Sequence, residues 1–106
     1  MSMLYFLLEP NELQKFILSP DQIDEVRAGN LSMVNSLIYD AQCVIVRVSG
    51  SPASDAAKYN ALDSMMKAIG FTFNEIEDID NVKLQGVMST FKRYANEYRG
   101  KYKPLF

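Results

Sequence analysis

Apolar and polar positions along this 106-residue chain sort into runs that predict eight elements. Residues 3–8 form an unbroken apolar run stopped by Glu9 and Pro10, the pattern of a short buried strand. Pro10 suits the first turn of a helix, and Leu13, Phe16 and Ile17 follow at helical spacing. Ser19, Pro20, Asp21 and Gln22 make a stronger start. They supply a hydroxyl cap, a proline at the first helical position, an acid at the positive dipole end and a Gln that completes a capping box. That helix carries Ile23 and Val26 and stops at Gly29, a residue suited to a left-handed cap. Asn30 then caps a helix over 31–39 with Leu31, Val34, Leu37 and Ile38 as its apolar stripe.

Residues 43–48 are almost entirely apolar and β-branched and are bounded by Ser49 and Gly50, which predicts the strongest strand of the chain. Ser51 and Pro52 open a helix in which Ala56, Tyr59, Leu62, Met66 and Ile69 share a face, and Gly70 closes it. A strand follows over 71–77, with Phe71 and Phe73 on one side. The last element is a long amphipathic helix over 80–99 that turns Leu84, Val87, Met88, Phe91, Ala95 and Tyr98 inward and ends at Gly100 and Pro104. The order β-ααα-β-α-β-α contains one right-handed βαβ unit over 43–77. The expected fold is α/β, with α+β as the variant: one compact domain over 1–106 built on about three strands with helices packed on them.

Composition narrows the chemistry more than it names a function. There is no histidine, which removes imidazole acid–base catalysis and His-ligated metal sites. Cys43 is the sole cysteine, so no disulfide framework or Cys-rich zinc site forms within the chain. In its apolar run the thiol is expected to be a buried small hydrophobe, and the methionines Met65, Met66 and Met88 to be core filler. Neither a metal nor a cofactor is expected. No stretch approaches the ~18–20 apolar residues of a membrane span. The first residues lack the basic region and cleavage site of a signal peptide, so the expected location is cytoplasmic.

The formal charge of −2 hides a split: residues 1–90 carry 6 basic and 12 acidic side chains, residues 91–106 carry 5 basic and 1 acidic. The basic end is also aromatic. Lys92, Arg93, Tyr94, Tyr98, Arg99, Lys101 and Tyr102 are the candidate partner-binding residues, because Tyr and Arg offer large contact area with a polar end. The same mixture could stack bases and neutralise phosphates, which makes single-stranded nucleic acid the alternative partner. Against both stands an ordinary amphipathic helix, with Phe91, Ala95, Tyr98 and Tyr102 packed inward and the cations solvated. The helices over 20–28 and 31–39 do not make a DNA-reading pair, since the second holds no Lys or Arg.

Ser49, Gly50, Ser51 and Ser54, leaving the best strand and entering a helix, are a candidate anion or phosphate site, although caps of this kind are common. Glu75, Glu77, Asp78 and Asp80 could hold a hard cation but lack calcium-loop spacing, and they suit a solvated edge and helix start. Arg47, Val48 and Ser49, with the helix containing Ala61 and Leu62, resemble the strand-to-loop signature of the serine recombinases, a likeness that implies a nucleophilic serine on a βαβ unit. Some 40 residues precede that strand here, and the family's further arginines have no placed counterpart, so the activity is not carried over. No catalytic set is assembled, and the expected function is a non-enzymatic protein-binding module: an inhibitor, accessory subunit or immunity-type factor. It would dock on a larger protein, acidic at the contact, through the terminal helix and tail, with self-association as a further outcome and no membrane partner.

Overall fold

The computed structural model describes residues 8–76 and 82–101, and every described element is a helix. In order these are α1 (Pro10–Gln14), α2 (Pro20–Arg27), α3 (Ser32–Ser49), α4 (Asp55–Glu75) and α5 (Val82–Lys101). The α/β expectation is therefore corrected to a small all-α fold, and no βαβ unit exists among the described residues. The strand expected over 3–8 lies, up to residue 7, outside the described residues.

The two other expected strands are stretches of helix. Residues 43–48 continue α3 without interruption, so the helix over 31–39 and the strand after it are one element of 18 residues. The reason is register. Val34, Leu37, Ile38, Ala41, Val44, Ile45 and Val48 are all buried, repeating every three or four positions through the β-branched run. Intrinsic strand propensity is worth only about 1 kcal/mol across its whole scale, and this packing overrides it. Likewise 71–75 completes α4, where Ile69 and Thr72 hold the helical period into the core and Ile76, the buried C-cap, follows them. Gly70 does not end that helix. It sits in the interior of α4, where a Cβ would lie 3.8 Å from Met88 Cε, an ordinary contact.

The cap signals of α2 stand where the sequence puts them, but the N-cap of α3 is Leu31 in place of Asn30, without a side-chain cap bond, and α4 starts at Asp55 behind Ser54, not at Ser51 and Pro52. Ser19 N–H donates to Gln22 Oε1 at 2.9 Å and Gln22 N–H donates to Ser19 Oγ at 3.2 Å, the reciprocal capping box of α2. Gly29 closes α2 at φ +106°, with Asn30 N–H donating to Glu25 O and Gly29 N–H to Val26 O, a Schellman arrangement. Asn30 Oδ1 accepts from Ser32 N–H at 3.2 Å and from its hydroxyl at 2.7 Å, fixing the entry to α3.

α4 and α5 share the most extensive interface, and they are antiparallel: Lys58 meets Tyr98 while Gly70 meets Met88. α3 packs on both, α2 on α3 and α1 on α4. The core is one cluster in which Val34, Val48, Leu62, Met65, Ile69, Leu84 and Phe91 are fully enclosed. Leu84, Val87, Phe91, Ala95 and Tyr98 face inward on α5 as the spacing predicts, with Met88 partly covered. Two polar ties hold the short helices. Thr72 Oγ1 on α4 accepts from Leu18 N–H at 3.1 Å and donates to Phe16 O at 2.6 Å. Arg47 on α3 pairs with Glu12 on α1 at 2.6 Å.

Candidate functional site

α5 distributes its candidate residues over three aspects. Tyr98 is 7% exposed, sunk beside the core, with the Lys58 ammonium 5.3 Å from its ring centroid. Tyr94 is half-buried and stacks on Tyr98, centroids 6.5 Å apart. Arg93 lies over the outer face of this pair, its guanidinium carbon 5.5 Å from the Tyr94 centroid. A ladder of cation, ring, ring and cation thus crosses from α4 to the surface. Lys92 and Arg99, seven positions apart and both exposed, share the opposite edge of α5. The Lys101 side chain and Tyr102 lie outside the described residues. Tyr98 is therefore a packing residue first, and Tyr94 is the aromatic of the set that reaches the surface.

The expected anion turn is built differently from its sequence reading. Ser49 ends α3, so the turn leaves the negative end of a helix dipole and not the carboxyl end of a strand. Ser51 Oγ accepts from Ala53 N–H at 3.1 Å, and Ser54, the N-cap of α4, accepts from Ala57 N–H at 3.2 Å. Lys58 Nζ donates to Ser49 O at 3.3 Å, while Ser49 Oγ is buried without a hydrogen-bond partner. The hydroxyls of Ser51 and Ser54 are engaged in turn and cap, and Gly50 keeps an ordinary helical conformation at φ −85°.

Cys43 is exposed on α3, contrary to the buried thiol expected of a strand residue, because the helical register turns position 43 away from Val44 and Ile45. Glu75 is exposed at the end of α4, and Glu77, Asp78 and Asp80 lie outside the described residues. Among the described residues no cluster of acidic or thiol side chains is placed to hold a metal ion, and no single helix is long and apolar enough to cross a membrane. The carboxyl of Glu12 is held below its usual value of 4.5. Burial pushes it up, but the Arg47 hydrogen bond, the Glu9 N–H at 3.2 Å and the charges of Arg47 and Lys15 outweigh that.

A groove of about 780 Å³ lies between α3 and α5. α3 contributes Asn35, Tyr39, Gln42 and Val46 at its outer wall, and α5 contributes Lys83, Gly86, Thr90 and Tyr94. Tyr39 and Val46 are 67% and 72% exposed, more than any other large apolar side chain described except Val82 at 69%. Sequence reasoning missed the α3 wall, because dividing α3 into helix and strand broke its pattern. The signal was nonetheless there: 35, 39, 42 and 46 repeat at intervals of four, three and four, a second seam beside the buried one.

Comparison with known proteins finds no matching family model, no matching curated protein and no matching solved structure. The fold class and the groove thus stand on this chain's own residues.

Proposed function

We propose that the chain is a protein-binding module, not an enzyme, and that it docks on a larger protein through α5 and the adjoining wall of α3. The observation that carries this reading is the α3–α5 groove. It joins exposed Tyr39 and Val46 to Tyr94 beneath Arg93, on a helix whose residues 82–101 include five basic side chains and one acidic. An aromatic flanked by arginine at the rim of an apolar depression is the composition of interface hot spots. An inhibitor, accessory subunit or immunity-type factor is the role such a module fills.

The two edges of α5 give a direct test. Tagged chain is expressed in its native host, and the captured species are quantified for the wild type, for K83A/R93A on the groove edge and for K92A/R99A on the other. All four side chains are exposed, so the variants retain the far-UV circular dichroism of the wild type. The reading expects a protein to be captured and K83A/R93A to slow its association, with salt reducing the difference. Undiminished capture by both variants, or capture of nucleic acid in place of protein, refutes it.

A further inference from the structure

We propose that the groove between α3 and α5 receives an amphipathic helix with acidic flanks from the partner protein, an inference that rests on the docking reading above and specifies it. Three observations lead there. The first is shape. The α3 wall (35, 39, 42, 46) repeats at intervals of four, three and four and the α5 wall (83, 86, 90, 94) at three, four and four, the spacing of helix faces made to meet another helix. Each wall covers three turns, roughly 16 Å of helix at about 1.5 Å per residue. A third helix laid along both completes a packing unit of the kind found in bundles, and it anchors through residues at i, i+3, i+4 and i+7.

The second observation is depth. Gly86 stands in the α5 wall, and a Cβ built there meets nothing within 4 Å, so the wall is open at its middle. Ile38, Ile45 and Val87 form the apolar lining below Tyr39 and Val46. The third is charge. Lys83 is the one ionised side chain among the lining residues described, at one end of the α5 wall, and Arg93 packs on Tyr94 at the other end. No carboxylate lines the groove among the described residues. Acidic residues flanking the incoming helix would therefore meet Lys83 at one end of the α5 wall and Arg93 at the other, with no carboxylate among the lining residues described. A second copy of this chain fits less well: with α5 meeting α5 face to face across a two-fold axis, it would set Lys83 against Arg93 of the other copy, like charge on like.

The test uses two synthetic peptides of fourteen residues with the same leucine seam, one with glutamate at the flanking positions and the other with lysine. Amide resonances of the isotope-labelled chain are followed as each is titrated. The glutamate peptide should perturb residues 35–46 and 83–94 and bind at least tenfold more tightly than the lysine peptide. V46D should weaken it at least tenfold, K92A/R99A should leave it unchanged, and K83E/R93E should reverse the preference between the peptides. Equal binding of both peptides, perturbation confined to other residues, or no perturbation overturns the proposal. So does concentration-dependent dimerisation of the chain that V46D abolishes, since it would give the groove to a second copy. Failure here is distinct from failure of the docking reading: if capture from the host is lost in K92A/R99A and kept in V46D, the module docks through the other edge of α5.

Discussion

The tie between Thr72 and the α1–α2 connection offers a sharp test of how this fold is held. Phe16 O and Leu18 N–H lie between two short helices and have no helical partner, yet both side chains are buried. Thr72, fully enclosed on α4, satisfies both through one hydroxyl, at 2.6 Å and 3.1 Å. Thr72→Val keeps the shape and the β-branching and removes only that hydroxyl. It leaves a buried donor and a buried acceptor unpaired, at about 1–3 kcal/mol each. The expected loss is about 2–6 kcal/mol, a large share of the ~5–15 kcal/mol typical of a small domain. With a urea slope of ~1.5 kcal/mol/M, the unfolding midpoint should fall by roughly 1.3–4 M with the slope unchanged. Thr72→Ser is the control: it keeps the hydroxyl, loses one buried methyl and should cost about 0.5–1.5 kcal/mol. If the valine variant lies within about 0.5 kcal/mol of the wild type, the hydroxyl does not hold α1 and α2 to α4.

Three further outcomes follow from particular residues. Gly29 and Gly70 should respond to alanine with opposite signs. Gly29→Ala, at φ +106°, should destabilise by about 1–2 kcal/mol. Gly70→Ala, inside α4 with room for a Cβ, should stabilise by about 0.5–1 kcal/mol; a loss at Gly70 in thermal melts would contradict an uninterrupted α4. Glu12, whose folded pKa is lowered, contributes stability that is present above its unfolded pKa and lost as pH falls through the folded value. Glu12→Gln should therefore cost up to about 1 kcal/mol at neutral pH and nothing in acid, a convergence that urea titrations across pH would reveal. Cys43, exposed on α3, should react with a thiol reagent in the folded chain at the rate of a free thiol, whereas protection until unfolding would return it to the core.

What the sequence revealed was local, and what it concealed was continuity. Capping chemistry is contained within four or five residues, so the boxes at Ser19 and Gly29 could be read directly. The inward face of α5 was equally plain because its apolar period runs unbroken from Leu84 to Tyr98. The two false strands arose where composition and period disagreed. Residues 43–48 are rich in β-branched side chains, but no turn-forming residue separates them from Ile38: Asp40, Ala41 and Gln42 are compatible with helix. Ala41, Val44, Ile45 and Val48 extend the register of Val34 and Leu37, a pattern visible only when the window spans both halves. Gly70 misled because glycine ends a helix only where the chain departs from it, and here α4 packs on α5 at Gly70 and continues for five more residues to Glu75. The candidate surface suffered from the same cut. Its α5 side, Arg93 and Tyr94, was legible as charge and aromaticity, while Tyr39 and Val46 became neighbours of α5 only once α3 was whole.

Whether the outer seam of α3 serves function or only folding can be decided at one residue. Val46 is 72% exposed, so it contributes little to the core, and valine is a weaker helix former than glutamine. A helix of this length would be more stable and more soluble with a polar residue there. Val46→Gln should accordingly leave stability unchanged or raise it by a few tenths of a kcal/mol, to about 0.5 kcal/mol at most. The same substitution removes an apolar anchor from the α3 wall of the groove and should weaken partner capture. Single exposed apolar side chains are common on soluble proteins, but Tyr39 and Val46 lie on one seam, opposite Tyr94. Improved stability joined to impaired binding is the signature of a position kept apolar for a partner. If Val46→Gln instead costs more than about 1 kcal/mol, the side chain packs within this chain, and the seam belongs to the fold and not to an interface.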